Sequence, residues 1–225
     1  PRETGPRANH GRKSGHAKGP KIHHAPTAQQ QAGGRSGGRQ SHEPAPPSAR
    51  SSVQRLKALL RLALRTSRGA GRHRIFLEVF SGKGGVSACL DRRGYGAVRV
   101  EILDGVDACS RAVVKLLLGW IRSGLVCAAW FGTPCSSWSR ARRDIDGHGP
   151  RTAKHIWGVP GLSDAELRRL ALGNATLRVT IELIRALNRL SIPVVLENPS
   201  SSYLWQAPPL APILASGQRV VIYYC

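Results

Sequence analysis

The 225-residue chain contains no methionine, only three phenylalanines, and 13 acidic residues against 34 Lys and Arg. Each shortage excludes something. No apolar run approaches the roughly 20 residues of a membrane-crossing helix, so a helical spanning protein is excluded. The first residues hold no apolar secretory core, which argues against export. Five cysteines, odd in number and without a C-x-x-C pair, supply neither a disulfide framework nor a zinc motif, so no metal is expected. Aromatic residues are few beside 25 Gly and 15 Pro, a balance that leaves part of the chain unable to bury enough apolar surface to fold. The lack of Met even at position 1 reads as a fragment of a longer reading frame.

What is present is positive charge, +21 in all. Residues 1–50 carry nine Lys or Arg and two acids, 51–74 carry seven and none, and 75–225 carry eighteen and eleven. The three stretches share one surplus of seven, so charge is densest in the short middle one. Residues 1–50, rich in Gly, Pro, Ser, His and Gln, read as a disordered basic tail. His10, His16, His23 and His24 are too irregularly spaced for a metal site and read as solvated. Residues 51–74 read as a basic amphipathic helix or linker. Over 53–68, Lys57, Arg61, Arg65 and Arg68 share one helical face, and Leu56, Leu59, Leu60 and Ala63 lie on the other. Two readings stay open: the arginines meet nucleic-acid phosphate or an acidic surface, or the leucines dock the helix on the next domain with the arginines solvated.

From residue 75 onward the pattern is α/β. Strands are expected over 75–80, 97–102, 106–108, 125–131, 192–196 and 219–225. Helices are expected over 86–93 and 110–123, and from the capping box Ser163-Asp164-Ala165-Glu166 to about Leu190. Residues 140–162 read as a mobile loop. Alternating strands and helices imply a Rossmann-like, doubly wound, mostly parallel sheet, with its last strand cut at the C-terminus.

Three short pieces fall at carboxyl ends of expected strands, the edge where open α/β sheets bind ligands. They are Glu78-Val79-Phe80-Ser81-Gly82-Lys83-Gly84-Gly85, then Gly132-Thr133-Pro134-Cys135-Ser136-Ser137-Trp138-Ser139, then Glu197-Asn198-Pro199. Glycines let backbone approach a ligand, and amides at a following helix N-terminus suit a carboxylate. A P-loop is a weaker reading, since the Gly-Lys-Ser/Thr ending is missing and Lys83 falls mid-loop. Without a ligand, the first piece is simply a tight strand-to-helix turn. Cys135 alone among the cysteines is expected in a loop at this edge. Cys89, Cys109 and Cys127 are expected within helices or strands as buried, inert thiols. Glu197 reads either as a functional carboxyl or as a strand-end acid paired with an arginine.

In order and spacing the three pieces resemble the DNA (cytosine-5) methyltransferase family. That family carries an acid-x-Phe-x-Gly-x-Gly-Gly loop, a Gly-x-Pro-Cys motif and a Glu-Asn-Val motif. The resemblance covers residues 75–225. It departs at Ser136, where Gln is usual, at Pro199, where Val is usual, and at Trp138, a place often held by Phe. The family's Gln-x-Arg-x-Arg strand, target-recognition region and last motif are not found.

The resemblance implies S-adenosylmethionine as cofactor, held by Phe80, Ser81, Gly82, Gly84 and Gly85. It implies Glu101 on the ribose hydroxyls and Asp107 near the adenine. Pro134 and Cys135 supply the nucleophile, whose thiolate adds at C6 of cytosine so that C5 can take the methyl group. Glu197 donates to N3 of the ring, and Asn198 holds the exocyclic amine or the loop. Arg140, Arg142 and Arg143 contact a flipped nucleotide's phosphates or remain surface charge. DNA is the expected partner, in the nucleus. A tRNA-directed methyltransferase, an inactive nucleic-acid-binding relic of the fold, and a Rossmann-like oxidoreductase are the rivals.

Overall fold

A computed structural model describes residues 45–67, 74–141 and 149–222. Its strands are β1 (Ile75–Val79), β2 (Ala97–Val100), β3 (Val126–Phe131) and β4 (Val194–Leu196). Its helices are α1 (Ala49–Thr66), α2 (Gly85–Arg92), α3 (Arg111–Arg122), α4 (Asp164–Arg189) and the short α5 (Ala211–Ala215). The sheet order is β2-β1-β3-β4, all parallel. The chain therefore moves from β1 outward to β2, then returns across β1 to β3 and β4. Right-handed crossovers put α2 on one face of the sheet and α3 and α4 on the other. The direction of winding reverses between β1 and β3, the point where such sheets bind ligands.

Strand alternation explains the core. Ile75, Leu77 and Val79 of β1 and Val98 and Val100 of β2 are fully buried with Val113, Leu117 and Ile121 of α3 and Leu183, Ile184 and Leu187 of α4. Each such aliphatic side chain contributes about 1.5–3 kcal/mol when fully buried. The helix α4 opens with the expected capping box: Ser163 Oγ accepts from the Glu166 amide, and Glu166 Oε2 accepts from the Ser163 amide.

The helix expected over 53–68 is docked on the domain. Leu56 and Ala63 are buried, and α1 packs on α3 and β2. A Cβ on Gly96 would lie 2.4 Å from the Ala63 carbonyl oxygen, so helix backbone rests directly on the residue before β2. Lys57, Arg61 and Arg65 stay exposed, and Arg68 lies outside the described residues.

Among the described residues two expected strands do not form. Residues 106–108 are buried or half-buried but not extended, because the chain turns back before them. Glu101 caps a 3-10 turn at Ile102–Asp104, Gly105 adopts φ 78°, and the Val106 amide donates to the Glu101 carbonyl. Residues 219–222 form no strand either. Val220 and Ile222 are 76% and 64% exposed, so apolar composition there is not matched by a partner among the described residues. Residues 223–225, the tail 1–44 with its histidines, and 142–148 lie outside the described residues. No described helix is long and apolar enough to cross a membrane, and no described group of three or more His, Cys, Asp or Glu is arranged to hold a metal.

Candidate active site

Two loops meet at the reversal of winding. The first follows β1. Glu78, 3% exposed, accepts the Ser87 amide on Oε2 at 2.8 Å, which fixes the first turn of α2 over the strand. Phe80, Gly82 and Gly84 all adopt left-handed φ, at 57°, 51° and 69°. At Gly84 this is needed twice over, since a Cβ would lie 2.4 Å from Arg99 Nε. Around Gly82 and Gly85 an added Cβ would meet nothing within 4 Å. Gly85 and Val86, the first residues of α2, have no acceptor for their amides within the helix. Ser81 Oγ and Ser87 Oγ are buried without a hydrogen-bond partner, as is Arg99 Nε.

Glu101, at the end of β2, closes this loop from the side. Its Oε2 accepts the Gly82 amide at 2.8 Å and its Oε1 the Leu103 amide at 3.4 Å. Arg99 sits under the loop, donating to the Gly82 carbonyl at 3.4 Å and pairing with Asp104 at 2.9 Å. Asp107 is turned locally: its Oδ1 accepts the Cys109 amide at 2.8 Å, and its own amide donates to Ser52 Oγ of α1.

The second loop follows β3 and carries Cys135. A Cβ on Gly132 would lie 2.8 Å from the Phe80 carbonyl oxygen, so the two loops touch backbone to backbone. Thr133 is buried. Its hydroxyl lies 2.8 Å from Thr180 Oγ1, whose own hydrogen goes to the Thr176 carbonyl, so Thr133 is the donor. The Thr133 carbonyl accepts from Asn198 Nδ2 at 2.6 Å, which also fixes the orientation of that amide. The Cys135 carbonyl accepts from the Trp138 and Ser139 amides at 2.9 and 2.8 Å, closing a turn. Pro134 and Cys135 are half-buried, while Thr133, Ser137 and Trp138 around them are buried.

Trp138 is fully buried. Its indole donates to the Gly173 carbonyl, and its carbonyl accepts from the Tyr203 amide at 2.9 Å and Ser202 Oγ at 3.4 Å. Gly173 of α4 is where the helix comes closest. A Cβ there would sit 2.1 Å from Ser137 Oγ and 3.2 Å from Trp138 Nε1. Arg151, also buried, joins this network through Ser137.

The third piece follows β4. The Glu197 amide donates to the Phe131 carbonyl at 2.9 Å, and the side chain is exposed. Among the described residues no arginine or lysine pairs with it. Asn198 Oδ1 is buried with no partner. Trp205 donates to the Pro199 carbonyl at 2.8 Å and Arg219 to the Ser200 carbonyl at 2.9 Å, holding the loop that leaves the site. Arg140 is exposed, with its guanidinium 4.7 Å from the Tyr203 ring centre. Arg142 and Arg143 lie outside the described residues.

The other described cysteines are less buried than expected. Cys127 is exposed, and Cys89 and Cys109 are half-buried. Cys127 lies in β3 on the face that only the short α2 covers, so a central strand does not bury it. Cys109 lies in the turn before α3, not within an element. Burial pushes its thiol up to about 11, the Asp107 carboxylate adding to the effect and Arg178 opposing it. Four residues central to the site had no such role in the sequence reading: Glu78, Arg99, Gly173 and Arg151. Only Glu78 had a signal, as the acid that opens the first motif.

No protein-family model, curated protein or solved structure matches this chain. The resemblance to the cytosine-5 methyltransferases thus rests on the three motifs and on where the fold puts them.

Proposed function

We propose that the chain transfers a methyl group from S-adenosylmethionine to C5 of cytosine in DNA, with Cys135 as nucleophile. The observation that carries this reading is the junction of the three motif loops. They leave neighbouring strands β1, β3 and β4 at the same edge. Gly132 lies against Phe80, and Asn198 is bonded to Thr133.

The first loop suits the cofactor. It offers an unpaired buried hydroxyl on Ser81, open space at Gly82 and Gly85, and free α2 amides for a carboxylate. Phe80 and Gly84 give the backbone its left-handed path around that space. Glu101 would hold the ribose hydroxyls in place of the Gly82 amide, and Asp107 would meet the adenine. When bound, S-adenosylmethionine supplies an electrophilic methyl group.

The second and third loops suit the base. A cytosine must leave the stack to be reached. Pro134 restricts the backbone before the thiol, and Cys135 adds through sulfur to C6, which moves the ring's electron pair toward C5. Glu197, in its protonated form, donates to N3 as that charge develops, and the unpaired Asn198 Oδ1 accepts from the exocyclic amine. Transfer of the methyl group to C5 would leave S-adenosylhomocysteine; C5 then loses its proton to water, the thiolate leaves C6 and the ring double bond returns. Arg140, with Arg142 and Arg143, holds flanking phosphates. The nucleus is the compartment that suits a basic, DNA-acting chain.

The test is a covalent complex between the full chain and DNA containing 5-fluorocytosine, formed with S-adenosylmethionine present. The fluorine blocks the proton loss that releases Cys135. The complex is expected with the native chain and absent with Cys135→Ser. A complex that survives Cys135→Ser removes the nucleophile. A complex formed only on the same sequence as RNA moves the substrate to the tRNA-directed reading.

A further inference from the structure

Arg151 lies sixteen residues after Cys135 in a stretch that looks like solvated loop, yet it is 2% exposed. Its guanidinium lies over the Trp138 ring, 3.4 Å from the ring centre. Nε donates to the Ser137 carbonyl at 2.9 Å and Nη2 to Ser137 Oγ at 3.0 Å. Nη2 also reaches Asn174 Oδ1 at 2.8 Å and the Leu170 carbonyl at 3.4 Å, and Nη1 donates to the Ile156 carbonyl. Every acceptor is neutral. No acid pairs with it among the described residues.

A buried cation without a counter-ion is an expensive way to hold a fold together. Burial pulls the guanidinium down to about 10, so it stays charged at neutral pH. An apolar side chain of similar volume would fill the space at less cost. What it would not do is make two parallel bonds to one residue, Ser137, while tying that residue to α4 and to the 149–158 segment. Ser137 lies inside the turn that closes on the Cys135 carbonyl. A displaced Ser137 therefore displaces Cys135.

We propose that Arg151 is a positioning residue whose planar fork, stacked on Trp138 and bidentate on Ser137, sets the turn that presents Cys135. Its consequence for catalysis rests on the methyl-transfer reading; the positioning itself does not. Lysine keeps the charge but has neither the planar fork nor the stacking face.

The experiment measures iodoacetamide alkylation of each cysteine by mass spectrometry, on the full chain, at neutral pH. Cys89 and Cys109, half-buried like Cys135, serve as internal references. Arg151→Lys is expected to raise the rate at Cys135 relative to Cys89 by about tenfold, as the half-buried thiol is released. Asn174→Ala, which removes one acceptor and leaves the fork on Ser137, is the milder variant; its expected rise is about threefold. General loosening would raise all three rates together and leave the ratio unmoved. A ratio equal to that of the native chain in the variants that fold overturns the proposal. The 5-fluorocytosine complex keeps the two readings apart. A shifted ratio with no complex from the native chain keeps Arg151 and removes methyl transfer; a complex with an unshifted ratio does the reverse.

Discussion

The two loops that meet between β1 and β3 are built on opposite plans. The Cys135 loop is clamped from every side: Thr180 and Gly173 from α4, Asn198 and Ser202 from the segment after β4, and Arg151 from the loop between. The Ser81–Gly85 loop is held by Glu101 on the Gly82 amide and, just past its end, by Glu78 on the Ser87 amide, but the Ser81 hydroxyl within it and the Ser87 hydroxyl after it are buried and unpaired. Unpaired buried polar groups cost stability unless something else satisfies them. The difference teaches that one loop is finished without a ligand and the other is not. A nucleophile has to be oriented before the base arrives, whereas a cofactor pocket is completed by its cofactor.

Substitutions break or sharpen this contrast. Arg151→Ala leaves the Ser137 and Ile156 carbonyls and Asn174 without their donor and opens a void against Trp138. Urea unfolding is expected to show a loss of about 3–5 kcal/mol, and a loss below 1 kcal/mol would mean the clamp is slack. Gly173→Ala is next. Its Cβ would collide with Ser137 Oγ and press on Arg151 Nη2 at 3.1 Å, so a loss of about 2 kcal/mol is expected by the same measurement.

Gly119 is the control for that helix glycine. It is exposed in α3, where a Cβ would meet nothing within 4 Å, and Gly119→Ala should gain about 0.5–1 kcal/mol by helix propensity alone. Opposite signs at the two glycines separate the clamp from ordinary helix chemistry. The smallest effect belongs to the open loop. Ser81→Ala removes a buried hydroxyl that bonds nothing, so stability without ligand should not fall, and a gain of up to about 0.5 kcal/mol is expected. The rise in Tm on adding S-adenosylmethionine should shrink in the same variant. A large loss without ligand would show that the first loop is not waiting for one.

Much of this frame was legible in the residues. The short apolar run at 75–80, the Ser163–Glu166 capping box and the 3.6-residue spacing of α3 are local signals, and each forms the element it predicts. The three motif loops were legible for a related reason, since a loop at a strand's carboxyl end is a consequence of strand direction. Arg151 was not legible. An arginine in a Gly-, Pro- and His-rich stretch has the local signature of solvent, and only Trp138 and Gly173, brought in by the fold, make its site. The strand expected at 106–108 and the described part, 219–222, of the one expected over 219–225 failed on the same ground. Apolar composition was read correctly at Val106, which is buried, but a capped turn at Glu101 decided the backbone. The exposed Cys127 in β3 shows the converse: a central strand buries both faces only where helices cover both.

The most direct test of the contrast is amide hydrogen exchange on the full chain with and without S-adenosylmethionine. Added cofactor is expected to slow exchange at residues 81–86 and to leave 137–139, already protected, unchanged. No slowing at 81–86, or slowing confined to 137–139, would contradict the account.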